Sequence, residues 1–361
     1  MLIFSLLLIA ACLYGMKIAV GDGKIRKAPA GVIVDSENKW NDYLSKEKTG
    51  AIKGIFVIMV LVKHYTGYYV ANNAFDAAPK AFLSSFAQLV VTMFLFYSGY
   101  GIMESAKKKG SAYVKNLPVQ RILKLLFDFD IAVLLYLLLN IVLGKTQKPT
   151  TILASFFAWN SIGNSCWYIF AVLCLYIFSF AAFAVFRKNK YFSAAAVTVF
   201  CGAYIVLMKP LKDDCWFNTV ICYAFGMWFS LLREKFEKIV QRSNWSWAAC
   251  LVASTAGFAV SFLLRRKFVM YEAACIFFVL FVLLFTMKVS VDNKILRKLG
   301  ELVFGVYIMQ RLPMMTFDKL GFIEKNPYFS FAACFVITVL LAVGFNYFTK
   351  LTGKLFAKFR I

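Results

Sequence analysis

The chain holds one histidine, only 18 acidic residues against 41 basic ones, and 16% charge overall, so it is poor in the groups that metal-dependent and carboxylate-based enzymes use. It has no HExxH, no CxxC and no cluster of carboxylates, and no metal site is expected. A Walker phosphate loop and a GxSxG nucleophile elbow are also missing, which removes P-loop nucleotide hydrolysis and the α/β-hydrolase mechanism from consideration. Nine cysteines, at positions 12, 166, 174, 201, 215, 222, 250, 275 and 334, lie in or beside apolar stretches without a loop framework. They read as small core hydrophobes.

What the chain has in abundance is apolar surface. Hydrophobic residues make up 61% of it and mean hydropathy is +0.70, well beyond what a water-soluble fold can hide. Apolar runs of about twenty residues recur along its whole length, each long enough to cross a hydrocarbon core of roughly 30 Å. The expectation is an all-α polytopic membrane protein of about eleven transmembrane helices, near 2–20, 52–70, 82–103, 123–143, 165–186, 192–208, 216–232, 246–264, 270–287, 300–317 and 328–349. The segment Thr151 to Trp159 is apolar but short, which suits a re-entrant or interfacial piece.

A net charge of +23 would suggest nucleic acid in a soluble protein. In a polytopic one it reports topology, and no nucleic-acid partner is expected. With the N-terminus outside, alternate loops place 29 Lys and Arg on the inner side and 10 on the outer, with Lys63 and Arg311 inside spans. That asymmetry predicts a cytoplasmic C-terminus. Only Arg265-Arg266-Lys267 runs against it. The expected organisation is a first helix over 1–20, a polar cytoplasmic segment over 21–50, one membrane domain over 51–350, and a basic cytoplasmic tail over 351–361. An interfacial helix around 38–48 would be anchored by Trp40 and Leu44. The first span has a rival reading, because Ile9-Ala10-Ala11-Cys12 loosely resembles a lipoprotein cleavage box. No basic residue precedes Lys17, however, and cleavage would invert every later loop.

His64 falls in the second span, where an ionisable group is costly and marks a functional candidate. The alternative is an imidazole bonded to a neighbouring helix. Imidazole titrates near neutrality and can take a proton from a hydroxyl and return it. Lys53 stands eleven positions earlier, roughly 16 Å nearer the cytoplasm along a helix, placed either to hold phosphate or to snorkel to headgroups. Asp128 and Asp130 are spaced for structural pairing with Arg121 or Lys124. Arg311, before Pro313 at an expected kink, is a candidate either to line a cavity or to pair with Glu272.

Several elements together resemble the membrane acyltransferase-3 family. Lys53-Gly54-Ile55 through Lys63-His64 is similar to its opening signature of a basic residue, Gly, an apolar run and His. Phe94-Leu95-Phe96-Tyr97-Ser98-Gly99-Tyr100 resembles its Phe-rich Ser-Gly-aromatic element, and Arg121-Ile122-Leu123-Lys124 its cytoplasmic Arg-x-x-Arg pair. Trp167-Tyr168-Ile169 resembles the Trp-initiated span, and Leu299-Gly300 with Gly305-Val306-Tyr307 the late Leu-Gly…Gly-Ile-Tyr segment. The resemblance covers roughly 48–349 and leaves the first helix as an addition to a ten-helix core. This chain departs from the pattern in having Lys53 and Lys124 in place of arginine and Gln310 in place of a histidine.

The resemblance implies transfer of an acyl group, most often acetyl, from acyl-CoA to a hydroxyl of a cell-surface glycan or lipid-linked sugar. It implies His64 as general base, and Lys53, Arg121 and Lys124 as ligands of the donor's phosphates. Ser98, Trp167, Tyr168, Gln310 and Arg311 would support or contact substrate, with Ser98 a packing residue or a nucleophile. The implied setting is a bacterial cytoplasmic membrane, with membrane lipid as the surrounding partner and the oligomeric state open. The rival reading is a secondary transporter or glycan flippase using His64 and Arg311 for coupling or substrate binding. A non-catalytic membrane scaffold is the third.

Overall fold

The computed structural model describes residue 10 and residues 16–18, 40–70, 74–187, 189–291 and 293–359. The chain is all-α apart from one short ladder. Among the described residues seven runs are long and apolar enough to cross a membrane: Gln88–Val142, Trp167–Val185, Lys190–Met208, Asp214–Val240, Asn244–Leu263, Phe268–Lys288 and Pro327–Ala357. The first is 55 residues long and takes in two of the expected spans, so the seven runs account for eight. The expected first span lies mostly outside the described residues. Met16–Ile18 belongs instead to a strand, β1, paired antiparallel with β2, Val289–Val291.

Two further expected spans take another form. Helix α1, Lys46–Tyr65, is a 20-residue helix carrying Lys46, Glu47, Lys48, Lys53 and Lys63, and this charge keeps it out of the apolar set. The stretch expected at 300–317 is three short helices, α10 (Lys294–Glu301), α11 (Val303–Met309) and α12 (Arg311–Lys319). The last break falls at Gln310, where Pro313 supplies no N–H and its ring crowds the carbonyl four residues back. The segment expected as an interfacial helix is non-helical from Trp40 to Ser45. Asn41 instead bonds through its backbone N–H to the Met287 carbonyl at 2.9 Å, and the Trp40 ring lies 3.8 Å from Lys288 Nζ.

The remaining helices are α2 (Ala74–Leu117, interrupted at Gly110), a π-helical turn at Pro118–Leu123, α3 (Lys124–Val142), α4 (Pro149–Phe156), α5 (Trp167–Val185) and α6 (Lys190–Met208). They continue with α7 (Ile221–Val240), α8 (Asn244–Leu263), α9 (Phe268–Lys288), α13 (Phe322–Lys325) and α14 (Pro327–Ala357). Helix starts follow capping chemistry. Asn189, Asn293 and Asn326 each accept a backbone N–H of the helix they open. The basic stretch at 107–115 is helical, and Gly110 (φ 58°) breaks it.

The chain forms two compact units. The first comprises residues 1–59, 72–100 and 221–303. Its helices meet backbone to backbone at glycines. A Cβ on Gly54 would overlap the carbonyl of Leu296, and one on Gly300 the carbonyl of Gly50, so α1 and α10 approach as only glycine permits. Gly99 against Tyr223 and Gly226 against Phe96 do the same for α2 and α7. Rings of Phe56, Phe94 and Phe278 fill the space beside these crossings. At one end Tyr43 donates to Glu237 at 2.9 Å, and Arg233 pairs with Glu237 and donates to the Tyr100 hydroxyl.

The second unit comprises residues 60–71, 101–220 and 304–361. Polar contacts join its helices as well. Asp128, 3% exposed on α3, pairs with Lys124 one turn earlier and accepts from Thr352 of α14 at 2.8 Å. Gln120 donates to the Phe356 carbonyl at 2.6 Å, and Tyr136 to that of Ile308 at 2.8 Å. Gly305 packs on Ala342, bringing α11 against α14.

Candidate active site

Within the second unit a polar cavity of about 290 Å³ is lined by His64, Trp159, Asn160, Ser161, Asn164, Ser165, Cys166, Trp167, Lys212, Asp213, Trp216 and Arg311. His64 projects from the last turn of α1. Its neighbour Tyr65 is fully buried, packs on Phe331 at 5.0 Å and donates to the Pro327 carbonyl at 2.5 Å, which fixes the rotation of that turn. The imidazole lies beside Gln310 and 6.3 Å from the Tyr307 ring, and its Nδ1 has no hydrogen-bond partner among the described residues.

One wall comes from residues 157–166. After α4, Ala158 adopts φ 55° and closes the helix through N–H bonds from Ala158 to Ser155 and Trp159 to Ala154. This left-handed residue turns Trp159 toward the cavity. Asn140 of α3 donates to the Ile162 carbonyl at 2.7 Å, while Asn164 accepts from the Ile162 N–H at 3.0 Å. Two asparagines therefore set the path of the loop. Asn164 Nδ2 and Ser165 Oγ, on residues 1% and 5% exposed, remain without partners among the described residues.

The cavity also carries two cations. Lys212, in the turn after α6, donates to the Trp159 carbonyl at 2.7 Å, and its Nζ lies 4.0 and 4.4 Å from the Trp159 and Trp216 ring centroids. Burial pushes its pKa below the ordinary lysine value, against the opposing pull of Cys166 and Asp213. Arg311 opens α12 at the break after Gln310, and no carboxylate pairs with it among the described residues. Its Nε is buried and unpartnered.

Of the residues singled out from the sequence, His64, Trp167 and Arg311 meet at this cavity. Tyr168 and Gln310 stand behind it through Tyr307: the Tyr168 and Tyr307 rings are 5.6 Å apart, and Gln310 donates to the Tyr307 carbonyl at 2.9 Å. Arg121 is exposed on the π-helical turn and Lys124 is paired with Asp128. Lys53 and Ser98 belong to the first unit, where Lys53 Nζ lies 5.2 Å from the Tyr97 ring. Glu272, the other partner considered for Arg311, also lies in the first unit, with both carboxylate oxygens unpartnered among its described neighbours.

Sequence reasoning missed Trp159, Asn160, Asn164, Lys212 and Trp216. A signal for the first three existed in Trp159-Asn160-Ser161 to Asn164, a polar, aromatic run directly after the short apolar segment. Lys212 carried none beyond its loop charge.

A histidine and an arginine on the wall of one polar cavity, with ring walls and orphaned amides beside them, suit proton transfer to or from a polar ligand. The acyltransferase-3 family profile, described as an acyltransferase domain, matches residues 50–347. The chain belongs to the acyltransferase-3 family. It is a multi-pass membrane acyltransferase. No curated protein and no solved structure matches it. The glycines of the family-like elements at 53–54, 98–99 and 299–300 are the close crossings of the first unit, and the histidine of the opening element reaches the cavity of the second.

Proposed function

We propose that this acyltransferase moves an acyl group, acetyl in the first instance, from acyl-CoA to a hydroxyl of a cell-surface or lipid-linked glycan, with His64 as general base. The observation that carries the reading is the His64 imidazole at a polar cavity, its Nδ1 unpartnered among the described residues, with Arg311 lining the same cavity. His64 takes the proton as the acceptor oxygen attacks the thioester carbonyl carbon. The carbon–sulfur bond then breaks, and the proton passes from the imidazolium to the departing thiolate. Arg311 supports the charge that develops on the carbonyl oxygen. Lys53, Arg121 and Lys124 are the proposed phosphate ligands of the donor. Lys124 would do so while shared with Asp128.

We further propose eleven crossings in a bacterial cytoplasmic membrane, N-terminus outside and C-terminus inside, supported by the 29-to-10 distribution of basic residues. The test of the reaction is acyl transfer by purified protein, wild type against His64→Ala. Loss of turnover with retained acyl-CoA binding is expected. Equal turnover by the two proteins sinks the mechanism, and uptake of a glycan by proteoliposomes lacking acyl-CoA would favour transport instead.

A further inference from the structure

The groups that the cavity leaves unsatisfied are chiefly donors. Asn164 Nδ2 and Arg311 Nε are buried without partners among the described residues, Ser165 Oγ is available to donate, and Lys212 presents an ammonium. Two fixed cations face a single exposed carboxylate, Asp213. Lys212 is not a loose surface lysine: the paired indoles of Trp159 and Trp216 hold its Nζ, and the Trp159 carbonyl and Asn160 side chain accept from it at 2.7 and 3.4 Å. Those contacts use its donors on one side and orient its charge without cancelling it. A neutral sugar offers hydroxyls that donate as often as they accept. Such a wall is better matched by a ligand whose oxygens only accept.

We propose that the acceptor is anionic, a glycan or polyol chain carrying a carboxylate or phosphate close to the hydroxyl that is acylated, and that Lys212 on its indole platform recognises that anion. The inference rests on the reading of this cavity as the acceptor site and names the substrate class that the site takes. Arg311 is the cation near His64, so the anion is held at the Lys212 end and the hydroxyl at the His64 end.

The test uses the full-length purified protein and three probes of equal length: a galacturonic acid tetramer, a glycerol phosphate tetramer and a neutral galactose tetramer. Binding is read by quenching of tryptophan fluorescence and transfer by release of free thiol from acetyl-CoA. Wild type is expected to favour at least one acidic probe over the neutral one by about tenfold or more, with affinity falling as salt rises. The two acidic probes distinguish carboxylate from phosphate. Lys212→Gln is expected to reduce the acidic-to-neutral ratio by about tenfold, and Lys212→Arg to retain most of it. The KM for acetyl-CoA should stay with the wild type in both variants. Equal binding of all three probes by wild type, an unchanged ratio in Lys212→Gln, or a KM change confined to acetyl-CoA would each overturn the proposal. Binding of an acidic probe with the expected Lys212 dependence but no thiol release would retain it and overturn the transferase reading alone.

Discussion

The two units of this protein differ in what their packed helices enclose. The first brings backbones into contact, with Gly54 on Leu296, Gly300 on Gly50, and Gly99 and Gly226 on the facing helix. Such crossings leave no room for a side chain, and in a bilayer they supply the close van der Waals contact that replaces the hydrophobic effect between helices. The second unit keeps its helices around a polar cavity of about 290 Å³, and two buried polar atoms on the residues lining it, Asn164 Nδ2 and Arg311 Nε, have no partner among the described residues. Each such atom costs about 1–3 kcal/mol unless a ligand or water meets it. The contrast is between a region built for rigidity and one that carries an energetic cost in exchange for a binding site.

Substitution can break that contrast in graded steps. The largest expected effect is on activity alone: His64→Gln should lower kcat by about 10²- to 10⁴-fold, while thermal unfolding in detergent stays with the wild type. A large loss of thermal stability in that variant would show that His64 is a packing residue. In the first unit Gly300→Ala should do the reverse, destabilising by about 3 kcal/mol because the new methyl meets the Gly50 carbonyl. The readout is the midpoint of thermal unfolding, with kcat per folded molecule retained.

Asn140→Ala lies between these extremes. It removes the 2.7 Å bond to the Ile162 carbonyl, costs about 1–3 kcal/mol and frees the loop that carries Trp159 and Asn164. A misplacement of about 1 Å there should reduce kcat/KM by about 10²-fold, measured by steady-state thiol release. Unaltered kinetics would detach the loop from the reaction. The smallest effect expected is that of Asn293→Ala, which deletes the cap accepting from Ile295 and Leu296 and costs about 1 kcal/mol. It should appear as a slight fall in unfolding temperature with no change in transfer.

Much of the fold was legible because membrane crossing is a one-dimensional property. Eight of the expected spans coincide with the seven apolar runs, since about twenty apolar residues in sequence suffice to demand a crossing. The reading weakened where tertiary context acts. Pro313 signalled a kink, but not that 300–317 divides into three short helices. Residues 38–48 read as an interfacial helix, yet 40–45 dock on Met287 and Lys288 in an irregular path. Lys107, Lys108, Lys109 and Lys115 are helical although their charge excludes them from the bilayer, because lysine is a good helix former.

The site divided along the same line. His64 was visible because an ionisable residue in an apolar run is conspicuous in the sequence itself, and so was Arg311. Their meeting at one cavity was not, because 247 positions separate them and only the packing of α1 and α12 within the second unit joins them. Lys212 shows the limit most clearly. By sequence it is one of ten basic residues in outer loops. Folding places it on Trp159 and Trp216, residues 53 and 4 positions away, and that placement converts a loop charge into a cation held in one position. Composition and periodicity alone determined that this chain lives in a membrane and where its apolar helices run. Which polar side chains share one enclosure was decided by the tertiary structure, because desolvation and donor geometry exist only after distant segments have packed together.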